Sequence, residues 1–368
     1  MTAFRLSSRA QSMKASEIRE LLKLVGKPSM ISFAGGIPDP ALFNVALFQD
    51  AWRHVFGGPS IAREALQYST TEGYLPLRQW IADLMARLGV PASPDNILVT
   101  SGSQQALDLI GKLLLDKGNG VITARPTYLG ALQSFSAYEP QFSTLDAPQP
   151  TGAGAPRLLY LVPDFANPNG VTMGKAARHQ ALDQARALDA VIVEDAAYSA
   201  LRYDGEDLPA VAALDAAAAG SIERTRTLYC GTFSKTLSPG LRIGWICGPA
   251  ALIRRLTLLK QGADLHTATT NQMVMHQVAI AGYDTQVARI RAVYRVRRDA
   301  MQAALERHAP PGVRWKKPDG GMFVWLELPD HLDAETLLPQ AIRQDIAFVP
   351  GGAFPPDGSG RNTMRLSF

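Results

Sequence analysis

Short apolar runs alternate with amphipathic segments through most of the chain. The runs NILVT and GVIT each lead through a turn into a helical pattern, and the helix expected at residues 175–188 leads into the run AVIVE. Continuous apolar runs are typical of parallel strands that are buried on both faces of a sheet. The pattern therefore predicts an α/β architecture with a mostly parallel sheet between layers of helices.

The two ends of the chain have a different pattern. Helices are expected at residues 15–25, 250–261 and 271–308, the last of them broken around Gly282. From Val313 onwards, short strands surround a single helix, which predicts a compact α+β unit. Because 368 residues are too many for one ordinary core, we expect two unequal domains.

Composition and charge narrow the classes of function. Hydrophobic residues make up 46% and charged residues 19% of the chain, which is ordinary for a globular enzyme. The formal net charge of +4 is spread along the sequence. Its densest run, residues 289–298, alternates basic with apolar residues, as one helix with a solvated face does. We therefore expect no nucleic-acid partner.

Cysteine usage and the N-terminus indicate the compartment. The two cysteines, Cys230 and Cys247, are too few for a disulfide framework and favour a reducing environment. The polar N-terminal segment lacks the apolar core of a signal peptide, and no apolar run is long enough to span a bilayer. We expect a cytoplasmic protein without a membrane partner. His266 and His276 lack the spacing of metal ligands, so no metal is expected.

The stretch Gly231–Trp245, GTFSKTLSPGLRIGW, carries the strongest chemical signal. Lys235 follows two hydroxyl residues, Thr232 and Ser234, and precedes a Pro-Gly turn and Arg242. A lysine amine can attack an aldehyde once burial or a nearby cation lowers its pKa, and arginine binds phosphate through parallel N–H groups. The stretch predicts a covalently held, phosphorylated aldehyde, although a short Ser-Lys pair is also common in solvated loops.

Polar residues also follow two of the predicted strands. Ser103 and Gln104 begin the helix after NILVT, where free N–H groups and the helix dipole favour an anion. The glycine spacing of dinucleotide-binding folds is absent. Asp195 ends a buried strand, where open α/β sheets place ligand-binding groups. A carboxylate in this position can also cap a helix, so the position alone leaves both roles open.

Together these segments resemble the fold-type I pyridoxal-5′-phosphate-dependent aminotransferases, particularly the branch of 2-aminoadipate and kynurenine aminotransferases. The similarity extends from about Ser7 to the last residue. It implies a large domain with a mixed, mostly parallel seven-stranded sheet flanked by helices, and a smaller α+β C-terminal domain. The expected boundaries are residues 1–45 for an N-terminal helix and substrate-covering segment of the small domain, 46–282 for the large domain and 283–368 for the C-terminal small domain.

The resemblance assigns many of the polar residues to the cofactor. Lys235 would hold the aldehyde, and Asp195 would pair with the protonated pyridine nitrogen. Tyr198 and Asn167, the latter in an Asn-Pro turn, would contact the phenolic oxygen, while Tyr128 would stack on the ring. The expected catalytic residues are Lys235, Asp195 and Tyr198. The phosphate would be bound by Ser103, Gln104, Thr232, Ser234 and Arg242.

Substrate contacts are implied in the same way. Arg365, in the strand NTMRLSF, would bind the α-carboxylate through two parallel hydrogen bonds, beside Gly36 and Asn167. Ser16 and Arg19, on the N-terminal helix, would contact the substrate side chain and set the specificity.

The resemblance also implies the reaction and the assembly. We expect transfer of an α-amino group from 2-aminoadipate, glutamate or a large apolar or aromatic amino acid to a 2-oxo acid such as 2-oxoglutarate or pyruvate. Lys235 would be the general base of a ping-pong mechanism. Tyr68 would reach the phosphate in the neighbouring subunit of a homodimer with shared active sites.

Two alternatives share the fold. A lyase or decarboxylase would use the same cofactor residues, and these residues do not decide between the outcomes. A cofactor-binding transcriptional regulator would need a DNA-binding module ahead of the first helix. The short polar segment there leaves no room for such a module, so we expect an enzyme.

Overall fold

The computed structural model of the protein describes residues 4–13 and 29–368. The helix expected at residues 15–25 lies outside the described residues. The strands are β1 (Ile31–Ser32), β2 (Ile97–Thr100), β3 (Gly120–Thr123), β4 (Gln141–Thr144), β5 (Pro156–Leu161), β6 (Val191–Asp195), β7 (Thr227–Thr232), β8 (Gly244–Cys247), β9 (Arg314–Trp315), β10 (Phe323–Glu327), β11 (Ile346–Ala347), β12 (Val349–Pro350) and β13 (Thr363–Ser367).

The α-helices follow the same chain order. They are α1 (Ser8–Ser12), α2 (Val45–Phe56), α3 (Pro59–Ala65), α4 (Leu75–Arg87), α5 (Ser103–Leu114), α6 (Leu129–Ser136), α7 (Lys175–Ala187), α8 (Val211–Ala219), α9 (Ala250–Gln261), α10 (Thr269–His308) and α11 (Ala334–Ile342). Helix α10 contains a non-helical residue at Gly282, with φ −162° and ψ 16°, where the sequence predicts a break.

The central sheet has seven strands in the order β2–β8–β7–β6–β5–β3–β4. Five consecutive strands of this sheet are parallel to one another: β7, β6, β5, β3 and β4. Strand β8 is antiparallel to both β2 and β7. This mixed, mostly parallel sheet confirms the predicted fold class.

Alternate side chains of the central sheet pack on opposite faces, which explains the continuous apolar runs. In β5, Leu158 and Tyr160 join the apolar cluster beneath α5, α6 and α9. Leu159 and Leu161 point the other way, into the cluster beneath α7 and α8. Helix α4 and the first half of α10 cover the rest of that second face. Burial on both faces is the main stabilising contribution to a sheet of this kind.

A smaller antiparallel sheet, in the order β12–β13–β10–β9, forms near the C-terminus. Strand β1 pairs in parallel with β11, so residues from the N-terminal part of the chain join C-terminal elements. Ala34 is accordingly buried beside Ala347 and Val349. The domain boundaries at residues 45 and 282 remain predictions.

Within residues 4–13 and 29–368, every helix is too short or too polar to cross a lipid bilayer.

Candidate active site

Two neighbouring cavities lie where the parallel strands of the central sheet end. The inner cavity, of about 180 Å³, is bounded by the end of β6, the turn after β7 and the start of α5. The outer pocket, of about 600 Å³, is bounded by α5, α6 and the small sheet. Open α/β sheets bind ligands at this edge. Five residues line both cavities: Gln104, Tyr128, Asn167, Tyr198 and Lys235.

Lys235 lies in the turn that follows β7, between the two cavities. Its Nζ donates a hydrogen bond to the carbonyl oxygen of Gly36, at 3.2 Å. Burial lowers the pKa of the Lys235 amine to about 8. The positive charges of Arg365 and Arg242 make a smaller contribution in the same direction, and the negative charge of Asp195 opposes the change. A larger fraction of the amine is therefore neutral near pH 7 than in an exposed lysine, as a nucleophile or base requires.

One end of the inner cavity is built for an anion. Gly102 precedes α5 with φ 86°, and a Cβ at this position would lie 2.4 Å from Nη2 of Arg242. The absence of a side chain at Gly102 thus lets the guanidinium approach the start of α5, where Ser103 is the first residue. The hydroxyl of Thr232 donates to Oγ of Ser234 at 2.9 Å beside them. A helix start, a guanidinium and two hydroxyl groups form a suitable site for a phosphate.

Asp195 is the last residue of β6 and is 4% exposed. Its Oδ2 accepts a hydrogen bond from the hydroxyl of Tyr160 at 2.7 Å, and its Oδ1 accepts one from the backbone N–H of Ala197 at 3.3 Å. Burial raises the pKa of the carboxyl, whereas both hydrogen bonds and the Lys235 charge oppose the rise. The structure therefore brings Asp195 and Lys235 to one cavity from different strands.

Asn167 and Arg365 form a connected polar group with Tyr198. The side-chain amide of Asn167 donates to the Tyr198 hydroxyl at 3.4 Å, and its Oδ1 accepts from Nη1 of Arg365 at 2.7 Å. Nη2 of Arg365 donates to the carbonyl oxygen of Ala34 at 2.6 Å. Gly36 lines the outer pocket beside them. The predicted substrate residues Gly36, Asn167 and Arg365 therefore lie together.

Arg365 is held in an aromatic setting within the protein. Its guanidinium carbon lies 4.2 Å from the ring centre of Phe323 and 5.2 Å from that of Phe354. Burial lowers the pKa of Arg365 to about 10, against the effects of Tyr198 and Tyr128, so the group stays charged at neutral pH. Its buried Nε has no hydrogen-bond partner among the described residues. A buried cation of this kind is a strong attractor for a carboxylate.

Tyr128 and Gln104 border both cavities from α6 and α5. Tyr128 directly precedes α6 and lines the inner cavity, as a ring-stacking residue would. The side-chain amide of Gln104 instead donates to the carbonyl oxygen of Gly130 at 2.8 Å and to Oγ of Ser134 at 2.6 Å. It thus ties α5 to α6, so the phosphate contact predicted for Gln104 would fall to its backbone N–H.

Tyr68 is a predicted site residue that the structure places outside the site of this chain. Tyr68 is 78% exposed, and its ring lies edge-on to His266 with centroids 5.8 Å apart. It lines neither cavity, so its predicted contact depends on a second subunit. Ser16 and Arg19 lie outside the described residues.

Sequence reasoning did not identify Tyr160, Phe323 or Phe354. Tyr160 lies within the apolar run RLLYLV, where a tyrosine is ordinarily read as core. The one available signal was its hydroxyl, since a buried tyrosine hydroxyl needs a hydrogen-bond partner. The two phenylalanines carry no comparable signal in the sequence.

Known proteins are similar to this chain along most of its length. The family described as "Aminotransferase class I and II" matches residues 50–367. The aromatic-amino-acid aminotransferase 1 of Thermococcus litoralis is 43% identical over 380 residues, a match that covers 98% of this chain and 89% of that protein.

Two solved structures are also similar along nearly the whole chain. The α-aminoadipate aminotransferase LysN of Thermus thermophilus, complexed with N-(5′-phosphopyridoxyl)-L-leucine, is 41% identical with a TM-score of 0.88. The match covers 98% of this chain and 92% of that chain. The kynurenine aminotransferase of Pyrococcus horikoshii, solved with PMP, is 42% identical with a TM-score of 0.90, covering 99% and 92%.

Proposed function

The chain belongs to the family of class I and II aminotransferases, and we propose that it uses pyridoxal 5′-phosphate to move an amino group between an amino acid and a 2-oxo acid. The observation that carries this proposal is the Lys235 amine, with a pKa lowered to about 8, in one cavity with the buried Asp195 carboxylate. A reactive amine and an enclosed carboxylate are the two groups that this cofactor requires at its aldehyde and its ring nitrogen.

The residues of the inner cavity fit the cofactor's phosphate. Gly102 leaves space that the Arg242 guanidinium fills, and α5 begins at this point with Ser103. Thr232 and Ser234 add hydroxyl groups on the same side. This donor set suits a dianion, because a guanidinium and a helix N-terminus both favour negative charge.

The remaining residues of the inner cavity fit the ring. Asp195 would hold the proton on the ring nitrogen, Tyr198 and Asn167 would donate to the phenolic oxygen, and Tyr128 would stack on the ring face. Burial raises the pKa of Tyr198, so its hydroxyl remains a hydrogen-bond donor. When bound, pyridoxal 5′-phosphate supplies a ring that stabilises negative charge at the substrate α-carbon and carries the amino group.

Lys235 has two tasks in this proposal. Its Nζ would hold the cofactor covalently before the substrate binds, and the freed amine would then take the proton from the substrate α-carbon and deliver it to the former aldehyde carbon of the cofactor. A base is most effective when its pKa lies near the working pH, and the lowered pKa of about 8 meets this condition. Positioning the amine beside the substrate replaces an encounter with a free base from solution.

Arg365 would orient the substrate by its α-carboxylate. The guanidinium donates hydrogen bonds to Asn167 and Ala34 and packs on two phenylalanine rings, so little side-chain freedom is lost on binding. Nη1 and Nη2 donate to Asn167 and Ala34, and each carries a second N–H that a carboxylate can accept. Gly36 borders the same pocket without a side chain that would obstruct it.

We propose 2-aminoadipate, glutamate or a large apolar or aromatic amino acid as the amino donor, and 2-oxoglutarate or pyruvate as the acceptor. The names of the relatives, which include aromatic-amino-acid, α-aminoadipate and kynurenine aminotransferases, support this range. Ser16 and Arg19 would contact the donor side chain.

We further propose a cytoplasmic homodimer in which Tyr68 completes the phosphate site of the partner subunit. Tyr68 is highly exposed in the single chain. Aromatic residues are enriched in subunit interfaces, and such a residue is exposed when one subunit is considered alone. The two free cysteines are both buried, and burial raises the pKa of each thiol, so neither indicates an oxidising compartment.

The test is to add single amino acids to the cofactor-loaded protein and follow the visible absorbance of the bound cofactor. A productive donor should remove the absorbance and yield one equivalent of the matching 2-oxo acid, and an added 2-oxo acid should restore it. Initial rates with both substrates should give the parallel lines of a ping-pong mechanism.

Other outcomes of this experiment would contradict the proposal. Release of ammonia or carbon dioxide without any oxo-acid acceptor would indicate a lyase or a decarboxylase. Intersecting initial-rate lines would indicate that both substrates bind together.

A further inference from the structure

Tyr160 lies behind Asp195 and lines neither cavity. It is fully buried on β5, and its ring packs edge-on against Phe135 of α6, with centroids 5.8 Å apart and an interplanar angle of 73°. Its hydroxyl oxygen lies 2.7 Å from Oδ2 of Asp195 on the neighbouring strand β6. The packing of the ring therefore directs the Tyr160 hydroxyl toward the Asp195 carboxylate, which borders the inner cavity.

The groups that face Asp195 come from several elements. Tyr160 approaches from β5, and Cys230 occupies the paired position on β7. Lys235 acts on the carboxylate from the cavity, and the Asp195 charge contributes to the raised pKa of Tyr198. Burial raises the pKa of Asp195, and the Tyr160 hydrogen bond is the largest of the effects that oppose it.

We propose that Tyr160 is a positioning residue for the reaction, whose hydroxyl keeps Asp195 ionised and correctly oriented so that the transferable proton stays on the cofactor's ring nitrogen. The inference rests on the proposed function, because it assigns Asp195 to that nitrogen. Tyr160 itself touches neither the cofactor nor the substrate; it acts through Asp195.

The physical reason is a competition for one proton between Asp195 and the ring nitrogen. A hydrogen bond donated to a carboxylate stabilises its charged form and lowers its affinity for a proton. Burial and the Asp195 charge hold the pKa of Tyr160 well above its ordinary value, so its hydroxyl remains a donor. Without that donor, the buried carboxylate takes a larger share of the proton, and the ring becomes a weaker electron sink.

The orientation of the carboxylate depends on the same contact. Oδ2 accepts from Tyr160, and Oδ1 accepts from the Ala197 backbone at the longer distance of 3.3 Å. Among the described residues, loss of the shorter bond leaves the carboxylate with the longer hydrogen bond from the Ala197 backbone. A catalytic group that is held by a second hydrogen bond keeps the geometry on which its effect depends.

Tyr160→Phe tests the proposal, because it removes the hydroxyl and keeps the ring that packs on Phe135. The matched control is Tyr229→Phe. Tyr229 is a buried tyrosine on the adjacent strand β7, and its hydroxyl lies 3.4 Å from Oγ of Ser199 rather than near Asp195. Both variants and the wild-type protein are loaded with pyridoxal 5′-phosphate labelled with ¹⁵N in the ring.

The first readout is the ¹⁵N chemical shift of the bound cofactor. Tyr160→Phe should move the signal toward that of an unprotonated pyridine, whereas Tyr229→Phe should leave it at the wild-type value. The second readout is steady-state kinetics with a productive amino acid. We expect kcat of Tyr160→Phe to fall about 10- to 100-fold with KM nearly unchanged, because a hydrogen bond to an ionised group corresponds to about one to two powers of ten.

A double variant separates action through Asp195 from a general effect on packing. In the Asp195→Asn background, Tyr160→Phe should reduce kcat by less than about twofold, since the carboxylate through which it acts is gone. An unchanged ¹⁵N shift in Tyr160→Phe, or an equal loss of kcat in both backgrounds, would overturn the inference. If wild-type protein gives no bound-cofactor signal at all, the proposed function fails rather than the role of Tyr160.

Discussion

Glu194 and Asp195 are consecutive residues of β6 that meet opposite sides of the central sheet. Both are buried, with exposed fractions of 1% and 4%, and burial raises the pKa of each. The Glu194 oxygens accept hydrogen bonds from the backbone N–H groups of Val211 and Ala212 at 2.9 and 2.8 Å, at the start of α8. Asp195 accepts from Tyr160 and borders the inner cavity.

The difference teaches that burial and a shifted pKa do not mark function by themselves. Both oxygens of Glu194 are used by a helix N-terminus, so this carboxylate stabilises the fold. Asp195 borders a cavity in which a ligand can still be bound. Perturbed carboxylates cluster at active sites, yet structural ones are perturbed by the same forces. Glu194 also lines a cavity, of about 650 Å³, but Asp195 shares its cavity with the Lys235 amine, and this is what separates the two roles.

The largest expected effect is on turnover. Asp195→Asn should lower kcat by about 10²- to 10³-fold, as loss of one preorganised electrostatic partner does, while Glu194→Gln should change kcat per folded molecule by less than about twofold. Steady-state rates with a saturating amino acid measure both, and circular dichroism verifies the folded fraction. Similar losses of kcat in the two variants would remove the functional distinction between the two faces.

The second effect is on stability. The pKa of Glu194 in the folded protein is raised from 4.5 to about 7, so the folded state holds this proton more tightly than the unfolded chain does. Its contribution to the free energy of unfolding is full below about pH 4.5 and is lost as the pH rises through about 7. Glu194→Gln has no such proton to lose.

Urea unfolding of wild type and Glu194→Gln between pH 4 and 8 measures this difference. As the pH rises from 4 to 8, the free energy of unfolding of the glutamine variant should increase relative to that of wild type. The total increase should be on the order of 3 kcal/mol. A difference that stays constant with pH would mean that the two backbone N–H groups at α8 fully offset the cost of burying the charge.

The smallest effect is on the titration of Lys235. The negative charge of Asp195 raises the pKa of this amine against burial and the charges of Arg365 and Arg242. The rate at which the apoprotein attaches saturating pyridoxal 5′-phosphate should rise with pH to a maximum. Asp195→Asn should lower the midpoint pH of this rise by less than about one unit. The growth of visible absorbance measures that rate, and Glu194→Gln should leave the midpoint at its wild-type value.

A control and an opposite result complete this comparison. Lys235→Ala should show no covalent attachment at any pH. An upward shift of the midpoint in Asp195→Asn would contradict the direction expected from the charges.

Local sequence determined much of the architecture. The helix predicted at residues 250–261 has those bounds in the structure, and the helix predicted at 175–188 spans Lys175–Ala187. The strand predicted at 190–194 is shifted by one residue, to Val191–Asp195. These elements follow from apolar periodicity and turn residues, which act over a few positions of the chain.

The sequence also identified Lys235, Asp195, Asn167 and Arg365 as candidates, through motifs and a family resemblance. It did not determine how they contact one another. Asn167 and Arg365 are 198 positions apart in the chain, yet their side chains hydrogen-bond. Such contacts depend on strand order and on packing between sheets, and neither is encoded in any short stretch.

What the sequence determined by itself is many of the strands and helices and the chemical groups that follow them. Only the tertiary structure decided that Glu194 faces α8 while Asp195 faces the inner cavity, and that Tyr160 of β5 donates to Asp195 of β6. The physical reason is that neighbouring side chains of a strand point to opposite faces, and which face holds the inner cavity with Lys235 depends on the pairing of strands far apart in the chain.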